Sequence, residues 1–95
     1  MTQSEQVEII RKKIKFEEEI LDEKIKLRNE ARKEFESCSC QVIHEKRSIL
    51  DMRLAAVSNQ YMCLCGVLEL SYELNLISKD EYSKLQKQAF DKVFK

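Results

Sequence analysis

A chain of 95 residues makes one small domain, which buries roughly 60–65% of its extended-chain surface and so has a thin core. With no Pro, a single Gly (Gly66) and 36% charged residues, the composition points to long helices or coiled coil rather than to strands or disorder. Seventeen basic residues balance seventeen acidic ones, so both the basic surplus that drives non-specific nucleic-acid binding and the acidic surplus of a DNA mimic are missing.

Thr2-Gln3-Ser4-Glu5 has the form of a capping box and predicts a helix start. Val7, Ile10, Ile14, Leu21, Ile25, Ala31, Phe35 and Cys38 then recur at helical spacing, on a helix expected over about 4–36. Opposite charges four residues apart, Glu8/Lys12, Lys13/Glu17, Lys15/Glu19 and Asp22/Lys26, each add about 0.2–0.5 kcal/mol of helix support. The acidic run Glu17-Glu18-Glu19 with Asp22 and Glu23 reads as solvated helix surface, since the Glu-x-x-His signature of di-iron bundles is absent.

Ser37-Cys38-Ser39-Cys40 consists of weaker helix formers and predicts a turn. Without Pro or Gly to force a break, one continuous helix of about 70 residues, ~105 Å long, is the competing architecture. The second helix, expected over about 41–74, is the most apolar. Ile43, Leu50, Val57 and Leu64 fall seven apart with Leu54, Tyr61 and Leu68 between them, and Val42, Ile49, Ala56, Met62, Val67 and Leu70 widen the stripe. Such a helix is expected to be buried on more than one side, at the centre of the fold.

Asn75 suits the left-handed position just past a helix end, with Leu76 packing back. Ser78-Lys79-Asp80-Glu81 supplies a second capping box. A short third helix over about 79–94 carries Tyr82, Leu85, Ala89, Phe90 and Val93 on one face. The fold expected is all-α: a long antiparallel helical hairpin plus a short C-terminal helix, a three-helix, coiled-coil-like bundle within a single domain.

The run Leu70 to Leu85, L-x-x-x-L-x-L-I-S-x-x-E-Y-x-x-L, resembles the SHOCT-type short helical module found at bacterial protein C-termini. It is also similar to the tails of small phage-encoded accessory proteins. It departs from those modules at Asn75, where they usually carry Gly. The resemblance implies a helix–stop–cap–helix unit and a bacterial or phage origin, and it carries over no functional residue.

Cys38, Cys40, Cys63 and Cys65 form two C-x-C pairs, and Cys40 and His44 stand four apart. Structural zinc sites instead favour C-x2–4-C knuckles in loops. Residues two apart on a helix point to different faces, so these cysteines read as free thiols, with a metal or redox role the lesser alternative. Glycine-rich phosphate loops, nucleophile elbows and zinc-protease motifs are missing. No enzyme activity and no cofactor are expected.

The longest apolar-leaning stretch, Tyr61 to Leu70, is half the ~20 residues a membrane span requires. Met1-Thr2-Gln3-Ser4-Glu5 lacks the layout of a signal peptide. A cytoplasmic protein with reduced thiols is therefore expected. The function anticipated is non-catalytic protein binding, in the manner of a phage-type accessory or inhibitory protein acting on a host complex. The alternative is a self-associating structural coiled-coil subunit, expected as a homodimer. Phe16, Leu27, Leu50, Leu54, Tyr61 and Leu64 are the candidate interface residues.

Overall fold

The computed structural model describes residues 2–94. Three helices, α1 (Gln3–Ser37), α2 (Ile43–Glu73) and α3 (Lys79–Val93), form an elongated all-α bundle with principal extents of 59 × 23 × 14 Å. Each helix runs antiparallel to the one before it. α2 packs against both neighbours, whereas α1 and α3 meet only at intervals.

The expected caps set the helix ends. The Thr2 hydroxyl accepts a hydrogen bond from the Glu5 N–H at 3.2 Å, and the Ser78 hydroxyl one from the Glu81 N–H at 3.1 Å. Each satisfies an N–H that has no partner within its helix. The Glu81 side chain does not complete a reciprocal box, because its carboxylate is drawn 2.8 Å from Arg11 on α1.

The single continuous helix is ruled out. Ser37 turns its hydroxyl onto the Lys33 carbonyl at 2.8 Å, Cys38 is extended (φ −77°, ψ 157°), and residues 38–42 carry the chain across to α2. At the far end of α2, Asn75 is the one residue with positive φ among those described, at 60°. Its N–H donates to the Tyr72 carbonyl at 3.0 Å and the Leu76 N–H to the Ser71 carbonyl at 2.9 Å. This is a Schellman closure, with Asn in the place Gly usually takes. We expect Ser78→Ala to cost about 0.5–2 kcal/mol, read as a lowered midpoint in chemical denaturation. A neutral result would remove this cap from the account of why α3 starts where it does.

The core comprises Ile14, Leu21, Val57, Leu64, Leu68, Ile77, Ala89 and Val93, with Ile10, Ile25, Tyr61, Val67, Tyr82 and Leu85 packed around it. Most of the seam read on α2 serves the chain itself: Leu50, Val57, Leu64 and Leu68 are buried and Tyr61 is half-buried, whereas Ile43 and Leu54 are exposed. As expected, α2 is central and covered on more than one side, by α1 and by α3; Ile49, Met52, Met62 and Leu70 stay exposed, because two helices cover only part of its circumference.

Two charged residues occupy core positions on α1. Glu17, placed on the solvated surface by its acidic neighbours, is buried, because it stands in step with Ile10, Ile14 and Leu21 on the inward stripe. Its carboxylate accepts from Gln60 of α2, its backbone carbonyl accepts from the same amide at 3.2 Å, and Lys13 lies 2.8 Å from its other oxygen. The second is Arg28, only 4% exposed. Glu8–Lys12 and Lys13–Glu17 pair as expected, while Asp22 pairs instead with Lys92 of α3 at 3.0 Å.

Candidate interaction surface

The side of α2 turned away from α1 and α3 carries the clearest unsatisfied pattern. Ser48, Met52, Ala55, Asn59, Met62, Gly66 and Glu69 alternate at spacings of four and three, and every one is exposed. That is the seam spacing of a coiled coil, out of phase with the inward seam. Ile49, Cys63 and Leu70 flank it and are exposed as well. From Met52 to Gly66 the ladder bears no charge over ~21 Å of helix. Met62 is the most exposed large apolar residue of the helix, at 69%.

Gly66 sits within this ladder. A Cβ built there meets nothing within 4 Å, so no intramolecular packing requires a glycine. In a helix interior Gly is about 0.5–1 kcal/mol less favourable than Ala, and close approach by another backbone is the usual benefit.

A second apolar area lies at the opposite end of the hairpin from the 38–42 loop. Gln6, Ile9, Ile10, Leu74 and Leu76 line an open cleft of about 420 Å³, with Ile9 and Leu74 largely exposed. Phe90 and Phe94 project from the end of α3, with rings 4.6 Å apart, and Tyr61 meets Phe94 edge-on at 5.8 Å.

Electrostatics near the core follow from burial and pairing. Glu17 is held below the ordinary carboxylate value by its hydrogen bonds to Lys13 and Gln60. Glu18 is pushed above it by desolvation. Burial also raises the Tyr61 phenol, which lies beside Cys65, and lowers the Arg28 guanidinium, which lies near Arg32. These shifts belong to packing.

The structure divides the interface residues read from sequence. Leu50 and Leu64 are buried within the chain and so present no surface to a partner, which corrects their candidacy. Tyr61 is half-buried under Phe94, and Leu27 is half-buried on α1. Phe16 and Leu54 are exposed, with Lys13 5.5 Å above the Phe16 ring. Sequence reading missed Met52, Asn59 and Gly66. A second heptad phase on α2 was the available signal.

The cysteines remain four free thiols in two separate places. Cys38 and Cys40 border the 38–42 loop, and Cys38 donates its thiol hydrogen to the Phe35 carbonyl at 3.1 Å. Cys63 and Cys65 lie on α2, with Cys63 twenty residues beyond Ile43, or ~30 Å of helix. Cys40 precedes α2 and the exposed His44 lies in its first turn, so the two are not on one helix. Among the described residues no three His, Cys, Asp or Glu side chains gather as metal ligands, and no helix is long and apolar enough to cross a membrane. No protein-family model matches the chain, nor does any curated protein or solved structure.

Proposed function

We propose that this chain is a non-catalytic protein-binding module that engages its partner through the outer face of α2. The observation that carries the reading is the exposed, uncharged ladder Met52–Ala55–Asn59–Met62–Gly66. Its spacing is that of a helix–helix seam, and its glycine has no internal use. Methionines on such a face adapt to irregular partners and bring apolar area. A helix laid into a facing groove or against a second helix is the mode that fits. The SHOCT-like segment adds the reading of a small phage-type accessory or inhibitory protein acting on a host protein complex in the cytoplasm.

Self-association is the second reading, and Asn59 favours it. A lone Asn at a seam position fixes register and partner number in paired helices at some expense of stability. On this reading two copies pair through the same α2 face, as subunits of a structural coiled coil.

The double variant M52E/M62E tests both. Single surface substitutions usually change stability by less than about 0.5 kcal/mol, so its helix content and melting should stay close to wild type. We expect a protein retained from bacterial lysate by the wild-type chain to be lost by the variant. If the partner is a second copy, light scattering should instead fall from twice the chain mass to one. Equal retention by both chains overturns the reading, as does a wild-type monomer that retains nothing.

A further inference from the structure

α3 is half the length of the hairpin it lies on. It ends at Val93, beside Lys92, whose ammonium is 3.0 Å from Asp22 of α1. Beyond that level, α1 from Lys33 to Ser37 and α2 from Ile43 to Arg53 have no third helix over them among the described residues. A cleft of about 270 Å³ opens at this step, lined by Arg28 and Arg32 of α1, Leu54 and Ser58 of α2, and Val93 and Phe94.

Its chemistry is unbalanced. Arg28 is 96% buried, yet the oxygens it reaches are neutral: the Val93 carbonyl at 2.6 Å and the Asn29 carboxamide at 3.1 and 3.2 Å. A guanidinium has five N–H groups, so two remain. The Val93 carbonyl belongs to the last turn of α3, where the helix end carries partial negative charge. That contact explains how Arg28 holds α3 in place, but a buried full charge usually has a full counter-charge. Among the described residues neither Arg28 nor Arg32 makes an ion pair. The two are close enough to act on each other as like charges. The Ser58 hydroxyl adds a donor, and Leu54 and Phe94 supply apolar walls.

We propose that this cleft is an anchor site for an acidic side chain of a partner polypeptide. Its carboxylate sits between Arg28 and Arg32, and a neighbouring apolar side chain of the partner lies against Leu54 and Phe94. Charge complementarity selects the occupant. The position of the cleft, in line with α3 over the uncovered half of the hairpin, gives the partner segment room to continue the bundle. The site is separate from the outer face of α2 and does not depend on it.

The test is an NMR titration of the full chain, labelled with nitrogen-15 so that arginine side-chain N–H groups are seen. The probes are two capped tripeptides, acetyl-Leu-Glu-Leu-amide and acetyl-Leu-Gln-Leu-amide. Saturable shifts are expected at the Arg28 side chain, Ser58 and Phe94 with the glutamate peptide, and at least tenfold weaker binding with the glutamine peptide. Arg28 also supports the fold, so the variant of choice is R32Q on the half-exposed neighbour. It should weaken the glutamate peptide about tenfold and leave melting near wild type. Equal binding of the two peptides overturns the proposal, as do unchanged affinity in R32Q or no saturable shift at tens of millimolar. M52E/M62E should bind the glutamate peptide as wild type does, so this site and the α2 face fail independently.

Discussion

Leu64→Ala is expected to destabilise the chain by about 2–5 kcal/mol, while Met62→Ala, two residues away on the same helix, should change stability by less than about 0.5 kcal/mol. Leu64 is 1% exposed and belongs to the main core cluster, so truncation leaves a void that helices on both sides of α2 close only in part. Met62 points to solvent and leaves none. For a chain of this size total stability is about 5–14 kcal/mol, and each kcal/mol moves the melting temperature by roughly 4–8 °C. The Leu64 variant should thus melt at least ~8 °C below wild type. A similar loss in both variants would mean that α2 turns a different face to α1 and α3.

The Glu17–Gln60 pair carries the second large effect. Gln60→Leu removes the amide that crosses from α2 to both the carboxylate and the backbone carbonyl of Glu17. A desolvated acceptor left without its donor costs about 1–3 kcal/mol, more when it is charged. Replacing both partners, as in E17L/Q60L, should recover most of that loss, because the position faces the core and accepts apolar side chains.

The pair also sets an acid limit. Glu17 titrates below its ordinary value of 4.5 in the folded chain, chiefly through Lys13 and then Gln60. A lowered folded-state value means that its stabilisation is full above the unfolded value and is lost as pH falls through the folded one. Glu18 shifts upward through burial and works in the opposite direction, favouring the fold at low pH. Comparing E17L/Q60L with wild type isolates the Glu17 contribution: the gap between their unfolding free energies should change below about pH 4.5. A gap that stays constant down to pH 2 would show that Glu17 titrates alike in both states.

What the sequence disclosed was what local chemistry decides. Thr2, Asn75 and Ser78 act on backbone groups within a few residues, so their roles were readable without knowing what lay across the bundle. The three helices and their order followed from the same signals. The destination of the α2 seam did not. The repeat of Leu50, Val57 and Leu64 is the same whether it meets a second copy or its own chain. What decides is the reversal over residues 38–42, which neither Pro nor Gly marks. Apolar residues also run around much of α2, so periodicity gave no single phase and the outward ladder went unread. Glu17 and Arg28 resembled their charged neighbours because burial of a charge depends on a partner far along the chain, here Gln60 and Val93.

α3 is fastened to α1 by charged or polar contacts: Arg11 to Glu81 near its start, and Asp22 to Lys92 and Arg28 to the Val93 carbonyl near its end. Its apolar grip is mainly on α2. α3 thus joins the hairpin after the tight closure at Asn75, held by Ala89 and Val93 in the core and by these polar contacts at its two ends. The long hairpin opens only by losing most of its buried surface, whereas α3 opens by losing its own share. Amide protons of α3 should therefore be the first of the three helices to exchange with solvent. Swinging away, α3 takes Phe94 from Tyr61 and its last-turn carbonyl from Arg28. If α3 exchanges first, the opening of the arginine cleft should follow its motion, because Val93 and Phe94 form one wall of that cleft.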